Sequence, residues 1–386
     1  MDQKANTKAA HSIAASPTGD PWLLTPGPLT TSPGVKAAMQ HDYGSRDHHL
    51  IAVNARMRQQ LVEIAGGTDT HVCVPLQGSG TFVVEAMVGT FVPREGKLLV
   101  LVNGAYGHRI AKICTYMGRS CETLETGENV PVDPKALDEK LASDKSITHV
   151  AVIFCETTTG ILNPVAEVSE VVARHGRSLL IDAMSCFGAL EIDARKIPFD
   201  ALVASSNKCL EATPGLGFCI CRKEVLEATK GNSPSLSLDL FDQWVAMEGN
   251  GQWRFTPPVH TIISFDQALK EFKDEGGVEG RGGRYRQNCD LLMSGMKKLG
   301  FVPLLPNELQ APIIVTFLMP KDPKFDFQIF YDSLRDKGYV IYPGKLTVAD
   351  TFRIGCIGRI GSDQMTGALD AVSATLNEMG VEDCSP

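Results

Sequence analysis

The sequence predicts an α/β protein, with a large domain on a mainly parallel sheet flanked by helices and a small α+β domain after it. Three observations predict this. Short apolar runs alternate with amphipathic runs through the first two thirds of the chain, the rhythm of βαβ units. Most of the apolar runs are continuous in Val, Ile and Leu, which suits strands covered on both faces. After about Gly251 that alternation stops, and helices and strands follow each other without it.

Taken in order, strands are expected over 71–75, 97–102, 149–155, 178–181 and 200–204. Helices are expected between them over 81–91, 108–117, 134–142 and 166–175. A helical stretch from Ile262 to Asp274 then leads to a Gly/Arg-rich segment, 276–283, and on to a long helix ending near Leu299. The remainder reads as strands over 313–317, 340–342 and 352–355 with helices over 327–337 and 362–379. The expected division is a flexible tail over 1–20, a large domain over 21–280 and a small domain over 281–386, with the start of the large domain packing near the small one.

Composition narrows the function. The 386 residues carry a formal net charge of −8, which gives no reason to expect nucleic acid or an anionic membrane as partner. An anionic ligand must then be held by local donors. The 11 cysteines are odd in number and form no CxxC pair, so a reducing compartment is expected and a metal site is not. Residues 1–20 lack the apolar core of a signal peptide, and no run is long enough to span a membrane. The expectation is a cytoplasmic protein.

Ligands of such sheets gather at the carboxyl ends of the strands, and four segments there carry chemistry. Gln77-Gly78-Ser79-Gly80-Thr81 joins a strand to a helix; small residues admit a ligand closely, and the N–H groups of a helix start favour phosphate. Taken alone, such a turn is as often only structural. Asp182 ends a buried apolar strand, where a carboxylate needs a structural partner or a cationic ligand nitrogen. Lys208, in Ser205-Ser206-Asn207-Lys208, follows the next strand; most such lysines are simply solvated, but a desolvated one is a nucleophile towards carbonyls. Tyr106, in Asn103-Gly104-Ala105-Tyr106-Gly107, is either a half-buried core aromatic or a platform for a flat ring.

Asp182 and Lys208, 26 positions apart with a strand between, make the most specific signal, and here the chain resembles the fold-type I pyridoxal-5′-phosphate (PLP) enzymes. It is most similar to the branch holding alanine–glyoxylate and serine–pyruvate aminotransferases, and within it to the 2-aminoethylphosphonate–pyruvate aminotransferase group. The matching motifs are Leu23-Leu-Thr-Pro-Gly-Pro-Leu-Thr-Thr-Ser32, Leu76-Gln-Gly-Ser-Gly-Thr81, Asn103-Gly-Ala-Tyr-Gly107, Glu156-Thr-Thr-Thr-Gly160, Ser205-Ser-Asn-Lys208, Arg254-Phe-Thr-Pro-Pro258 and Phe352-Arg-Ile-Gly355.

The resemblance implies a PLP-dependent transferase fold with a seven-stranded sheet. It implies Lys208 as the Schiff-base lysine and acid–base, Asp182 on the pyridine nitrogen and Tyr106 on the ring face. Ser79, Gly80, Thr81 and Asn207 would hold the phosphate, with Thr256 contributed by the second subunit of a homodimer, and Thr157 would reach the ring hydroxyl. Arg353 would clamp a substrate anion, since a guanidinium grips carboxylate or phosphonate with two hydrogen bonds; without the resemblance a surface ion pair is an equal reading. Thr30, Thr31 and Ser32 are candidates for the phosphonate oxygens, with Arg46 and His48 as further contributors. The expected reaction is amino transfer from 2-aminoethylphosphonate to pyruvate. An alanine–glyoxylate or serine–pyruvate aminotransferase is the nearest alternative, and a non-catalytic PLP-fold binding or regulatory module a remote one. Asn207 where desulfurases carry His argues against a desulfurase, although Cys356 lies near Arg353. A sugar-nucleotide aminotransferase is further away still.

Overall fold

The computed structural model describes residue 16 and residues 18–344 and 349–386, so the expected tail lies for the most part outside the described residues. A long helix, α1 (His48–Ile64), precedes the first strand of the main sheet. The order is then β1 (His71–Gln77), α2 (Gly80–Phe91), β2 (Lys97–Val102), α3 (Ala105–Met117), β3 (Ser120–Glu125) and α4 (Pro134–Ser143). It continues with β4 (His149–Ile153), α5 (Val165–Arg174), β5 (Ser178–Asp182), β6 (Ala201–Ser205) and β7 (Leu216–Arg222). Among the described residues these strands form one seven-stranded sheet in the order β1-β7-β6-β5-β4-β2-β3. Strands β2 to β6 pair in parallel, while β7 runs antiparallel to both β1 and β6.

The unbroken apolar runs have the cause the sequence suggests. In β4 and β2, alternate residues enter two different cores. Val150, Val152, Leu99 and Leu101 pack on one face, with α1, α4 and α5. Ala151, Ile153, Leu98, Val100 and Val102 pack on the other, with α2 and α3. Each fully buried Val or Leu contributes about 1.5–3 kcal/mol, so a polar residue on either face would be costly. Two strands are not anticipated by this pattern. In β3 the sequence Ser-Cys-Glu-Thr-Leu-Glu alternates because it is an edge strand paired only with β2. The start of β7 is disguised by Pro214 and Gly215, which make the turn into it.

A helix α6 (Val259–Asp274) is followed by α7 (Gly277–Lys298), which takes in most of the Gly/Arg-rich segment that the sequence reading set before the long helix. The glycines there serve close approach: a Cβ on Gly282 would lie 2.2 Å from the Ala189 carbonyl oxygen. Arg281, the expected domain boundary, lies inside this helix. The helix joins two cores, since Tyr285 packs with the main sheet while Leu292 and Met296 pack in a third core. That core includes β8 (Ile314–Leu318), α8 (Phe327–Asp336), β10 (Thr351–Gly355) and α9 (Ser362–Met379). The antiparallel order is β8-β10-β9, with β9 at Tyr342–Pro343. Trp22–Leu23 pairs in parallel with Tyr339–Val340, so the start of the described chain is bound to this part of the molecule. The cysteines are free thiols and, Cys121 apart, buried. No helix among the described residues is long and apolar enough to cross a membrane, and no cluster of metal-ligating side chains occurs among them.

Candidate active site

Four of the segments at strand ends meet. The turn after β1, the ends of β5 and β6 and the start of α3 line one cavity of about 530 Å³, into which Ser79, Thr81, Tyr106, Asp182 and Lys208 face. Gly80 and Asn207 line it as well, and the loop at Gly27 and Pro28 forms its opposite wall. At the start of α2, Ser79 is the N-cap residue, yet its hydroxyl caps no backbone N–H, so both the hydroxyl and the helix start are available to an anion. Asn207 is oriented by Ser205, whose hydroxyl donates to its amide oxygen at 3.0 Å.

Lys208 Nζ donates to the carbonyl oxygens of Pro26, at 2.7 Å, and Gly27, at 3.2 Å. The approach is close enough that a Cβ on Gly27 (φ +109°) would lie 2.6 Å from Lys208 Cδ, so only glycine fits that wall. No carboxylate among the described residues forms an ion pair with Lys208, and desolvation pushes its amine down to about 8. Asp182 is buried, accepts one backbone hydrogen bond, from Met184 N–H at 2.9 Å, and has no ion-pair partner among the described residues. Burial pushes its carboxyl up to about 6. Each group is thus shifted towards its neutral form by loss of water.

Two neighbours were not singled out by sequence. Arg109 lines the same cavity, its guanidinium 4.6 Å from the centre of the Tyr106 ring and its Nη1 donating to Thr81 Oγ1 at 3.2 Å. The signal was available as helical spacing: Tyr106 and Arg109 are three apart on α3, but the expected helix began at His108 and left Tyr106 in a loop. Glu156, present only within a motif, is fully buried. Its carboxylate accepts from Tyr106 N–H at 3.1 Å and from the Thr158 hydroxyl at 2.6 Å, which anchors the start of α3.

The other expected site residues stand outside this cavity's wall. Arg353 is buried on β10, where its Nη1 donates to the Thr157 carbonyl oxygen at 2.7 Å and its Nη2 to that of Pro343 at 2.9 Å. Its Nε is buried without a hydrogen-bond partner. Thr157 itself is buried and lines no part of this cavity. Ser32 acts structurally, capping the short helix Pro33–Ala37 and donating to Glu271 at 2.8 Å. Thr30 Oγ1 accepts from Leu23 N–H at 2.8 Å, while Thr31 is half-buried beside it. Arg46 and His48 are exposed at the start of α1, away from the cavity wall. Thr256 is exposed and lines a separate cavity of about 160 Å³ with Gln77 and Phe82. Cys356 is buried, and burial pushes its thiol well up, which does not suit a mobile sulfur acceptor.

A lysine and a buried acid stand at neighbouring strand ends of a doubly covered sheet, with a helix start beside them, and the chain belongs to the class-V aminotransferase family, whose model matches residues 34–340. Among its relatives, the 2-aminoethylphosphonate–pyruvate transaminase of Pseudomonas fluorescens (strain Pf0-1) is 55% identical over 366 residues, 95% of this chain and 99% of that protein. The protein of the same name from Pseudomonas aeruginosa PAO1 is 53% identical, over 94% of this chain and 97% of its own. Solved structures share the fold at lower identity. The pyridoxamine–pyruvate aminotransferase of Mesorhizobium loti superposes with a TM-score of 0.85 at 23% identity, covering 95% of each chain. The alanine–glyoxylate aminotransferase of Nostoc sp. superposes with 0.85 at 20% identity, covering 97% of this chain and all of that one.

Proposed function

We propose that this protein transfers the amino group of 2-aminoethylphosphonate to pyruvate, yielding phosphonoacetaldehyde and L-alanine, as a cytoplasmic PLP-dependent homodimer in phosphonate breakdown. The observation that carries the reading is the pairing of Lys208 and Asp182 in one cavity, in a chain similar over nearly its whole length to transaminases of that name. A buried carboxylate with no ion-pair partner among the described residues suits the ring nitrogen of PLP. When bound, the cofactor supplies an aldehyde for the lysine and an electron sink for the carbon that loses its proton.

The chain's own residues do the rest. Ser79, Gly80 and Thr81 hold the phosphate through hydroxyls and the start of α2, and Arg109 adds positive charge beside Thr81. Tyr106 presents a ring face, backed by Arg109. Asn207 and, from the second subunit, Thr256 would complete the phosphate contacts, while Thr157 would reach the ring hydroxyl. Asp182 would hold the ring through its nitrogen and favour the protonated form of that nitrogen. Lys208 Nζ takes a proton from the amino-bearing carbon of the donor and returns one on the keto-acid side; a lowered pKa leaves more of the amine neutral near pH 7 than an ordinary lysine would have. Arg353 binds the substrate anion, carboxylate or phosphonate. Thr30, Thr31 and Ser32 are assigned to the phosphonate side less directly, since the hydroxyls of Thr30 and Ser32 already serve the backbone and Glu271.

The test is the visible absorbance of the PLP-loaded protein with one amino donor at a time and no keto acid. Bleaching by 2-aminoethylphosphonate is expected, with L-alanine bleaching as the reverse donor. Bleaching by serine or glycine but not by the phosphonate would transfer the assignment to the serine–pyruvate or alanine–glyoxylate activities. Absence of any yellow species would remove Lys208 from its role.

A further inference from the structure

The turn that carries Lys208 holds, among the described residues, the one non-glycine residue with positive φ: Glu211, at +57°. Glutamate is not a residue that favours this region, where a Cβ crowds the neighbouring carbonyl and Gly or Asn is usual. Such a residue persists only where its surroundings determine it more strongly than its own preference, and those sites cluster near chemistry. Glu211 N–H donates to the Lys208 carbonyl oxygen at 2.8 Å, so the unusual residue closes the lysine's own turn.

What holds Glu211 there is its side chain. The carboxylate is 3% exposed. Oε1 accepts from Arg284 Nη2, at 2.7 Å, and from the Tyr285 hydroxyl. Arg281 Nη1 lies 3.6 Å from Oε2 and also donates to the Cys209 carbonyl oxygen, next to Lys208. Glu275 pairs with both arginines and, at 3.9 Å, with the half-exposed Arg359, so the two carboxylates are matched by guanidiniums. The far ends of the same side chains reach the exit of the Arg353 strand. Arg284 Nη1 donates to the carbonyl oxygens of Gly358 and Ile360, and Tyr285 Oη accepts from Gly358 N–H at 3.2 Å. From that exit, Arg359 N–H donates to the Thr30 carbonyl oxygen and Gly355 N–H to that of Leu24, either side of the Pro26–Gly27 carbonyls that receive Lys208 Nζ.

We propose that Glu211 is a positioning residue for the reaction: its buried carboxylate clamps the Lys208 turn to the strand carrying Arg353, so that lysine and anion-binding arginine are set at one fixed spacing. This rests on the reading of Lys208 and Arg353 given above. A merely structural ion network would stabilise the fold without governing the environment of the lysine amine, whose charged and titratable neighbours are Asp182, Arg109 and Cys209.

The experiment compares the full-length protein with Glu211→Gln, which keeps the shape and removes the charge, and Glu211→Gly, which relieves the backbone and removes the clamp. Asp266→Asn is the control; it breaks the Arg56–Asp266 ion pair between α1 and α6, outside this network. In both Glu211 variants kcat is expected to fall about tenfold to a hundredfold and KM for pyruvate to rise. The pH midpoint for capture of PLP by Lys208, whose amine desolvation holds below an ordinary lysine, should move up as the loosened turn admits water to the amine. Asp266→Asn should lower thermal stability and leave kcat and the midpoint in place. If the Glu211 variants behave as that control does, the proposal is overturned. Should Glu211→Gly not fold, Tyr285→Phe removes the hydroxyl that joins Glu211 to Gly358 and is judged by the same two readouts. A shifted midpoint in a protein that transaminates no donor would defeat the function and keep the positioning role; transamination with unshifted midpoints would do the reverse.

Discussion

Asp182 and Lys208 bring opposite formal charges into one cavity, and burial pushes each towards neutrality, the carboxyl up to about 6 and the ammonium down to about 8. For Asp182 this has a consequence for stability. In the cofactor-free chain the folded state holds a proton on Asp182 that the unfolded state has released between about pH 4 and about pH 6. The folded state binds more protons in that window, so the stability this group contributes falls as pH rises through it. Asp182→Asn should flatten that part of the profile, as measured by urea unfolding at a series of pH values; an unchanged slope would assign the pH dependence to other groups. Both residues were legible in the sequence because an apolar run ending in a charged residue is costly unless something uses the charge. Arg109 was not, because its meaning depends on a helix that starts at Ala105 rather than at His108 and so takes in Tyr106. Glu211 could not be, since a positive φ leaves no mark when the residue is not glycine.

Among the elements, α7 departs most from expectation. The sequence reading sets the segment with several glycines between 276 and 283 before the long helix, and glycine in a helix costs roughly 1 kcal/mol relative to alanine. Packing reverses that preference: Gly282 faces the Ala189 carbonyl, and Arg281 and Arg284 are fixed by Glu275. Gly282→Ala, which would favour an isolated helix, should therefore destabilise the protein by about 1–3 kcal/mol, read from chemical denaturation. A stabilised variant would mean that the helix can shift away from Ala189 freely. The edge strand β3 was hidden because its pattern reflects its single neighbour, and β7 because Pro214 and Gly215 mark a turn at its start.

At the scale of the whole molecule, Thr256 and Lys208 lie in separate cavities of one chain. A site completed by a second subunit predicts complementation. Lys208→Ala and a Thr256→Glu variant should each be inactive alone. After mixing and refolding, half of the dimers pair one of each, and each such dimer regains one of its two sites, giving about a quarter of wild-type activity. No recovery in mixtures shown by sedimentation to contain dimers would place Thr256 outside the partner's site.

The sequence by itself determined the sheet interior, the helices between its parallel strands, the strand-end positions of Asp182 and Lys208, and the family, but not the covering helix α1. All but the family, which rests on the matching motifs, follow from local pattern: apolar continuity where both faces are buried, helical periodicity where one is, and charged residues where a strand stops. Only the tertiary structure decided that Gly27 is the wall against Lys208, that Ser32 caps a helix, that Arg109 backs Tyr106, and that Glu211 ties the lysine turn to the Arg353 strand. The Gly27–Lys208 and Glu211–Arg284 contacts join groups far apart in the chain, and short-range pattern carries no record of such meetings; the Ser32 cap and the Arg109–Tyr106 pair are local and depend on where their helices start.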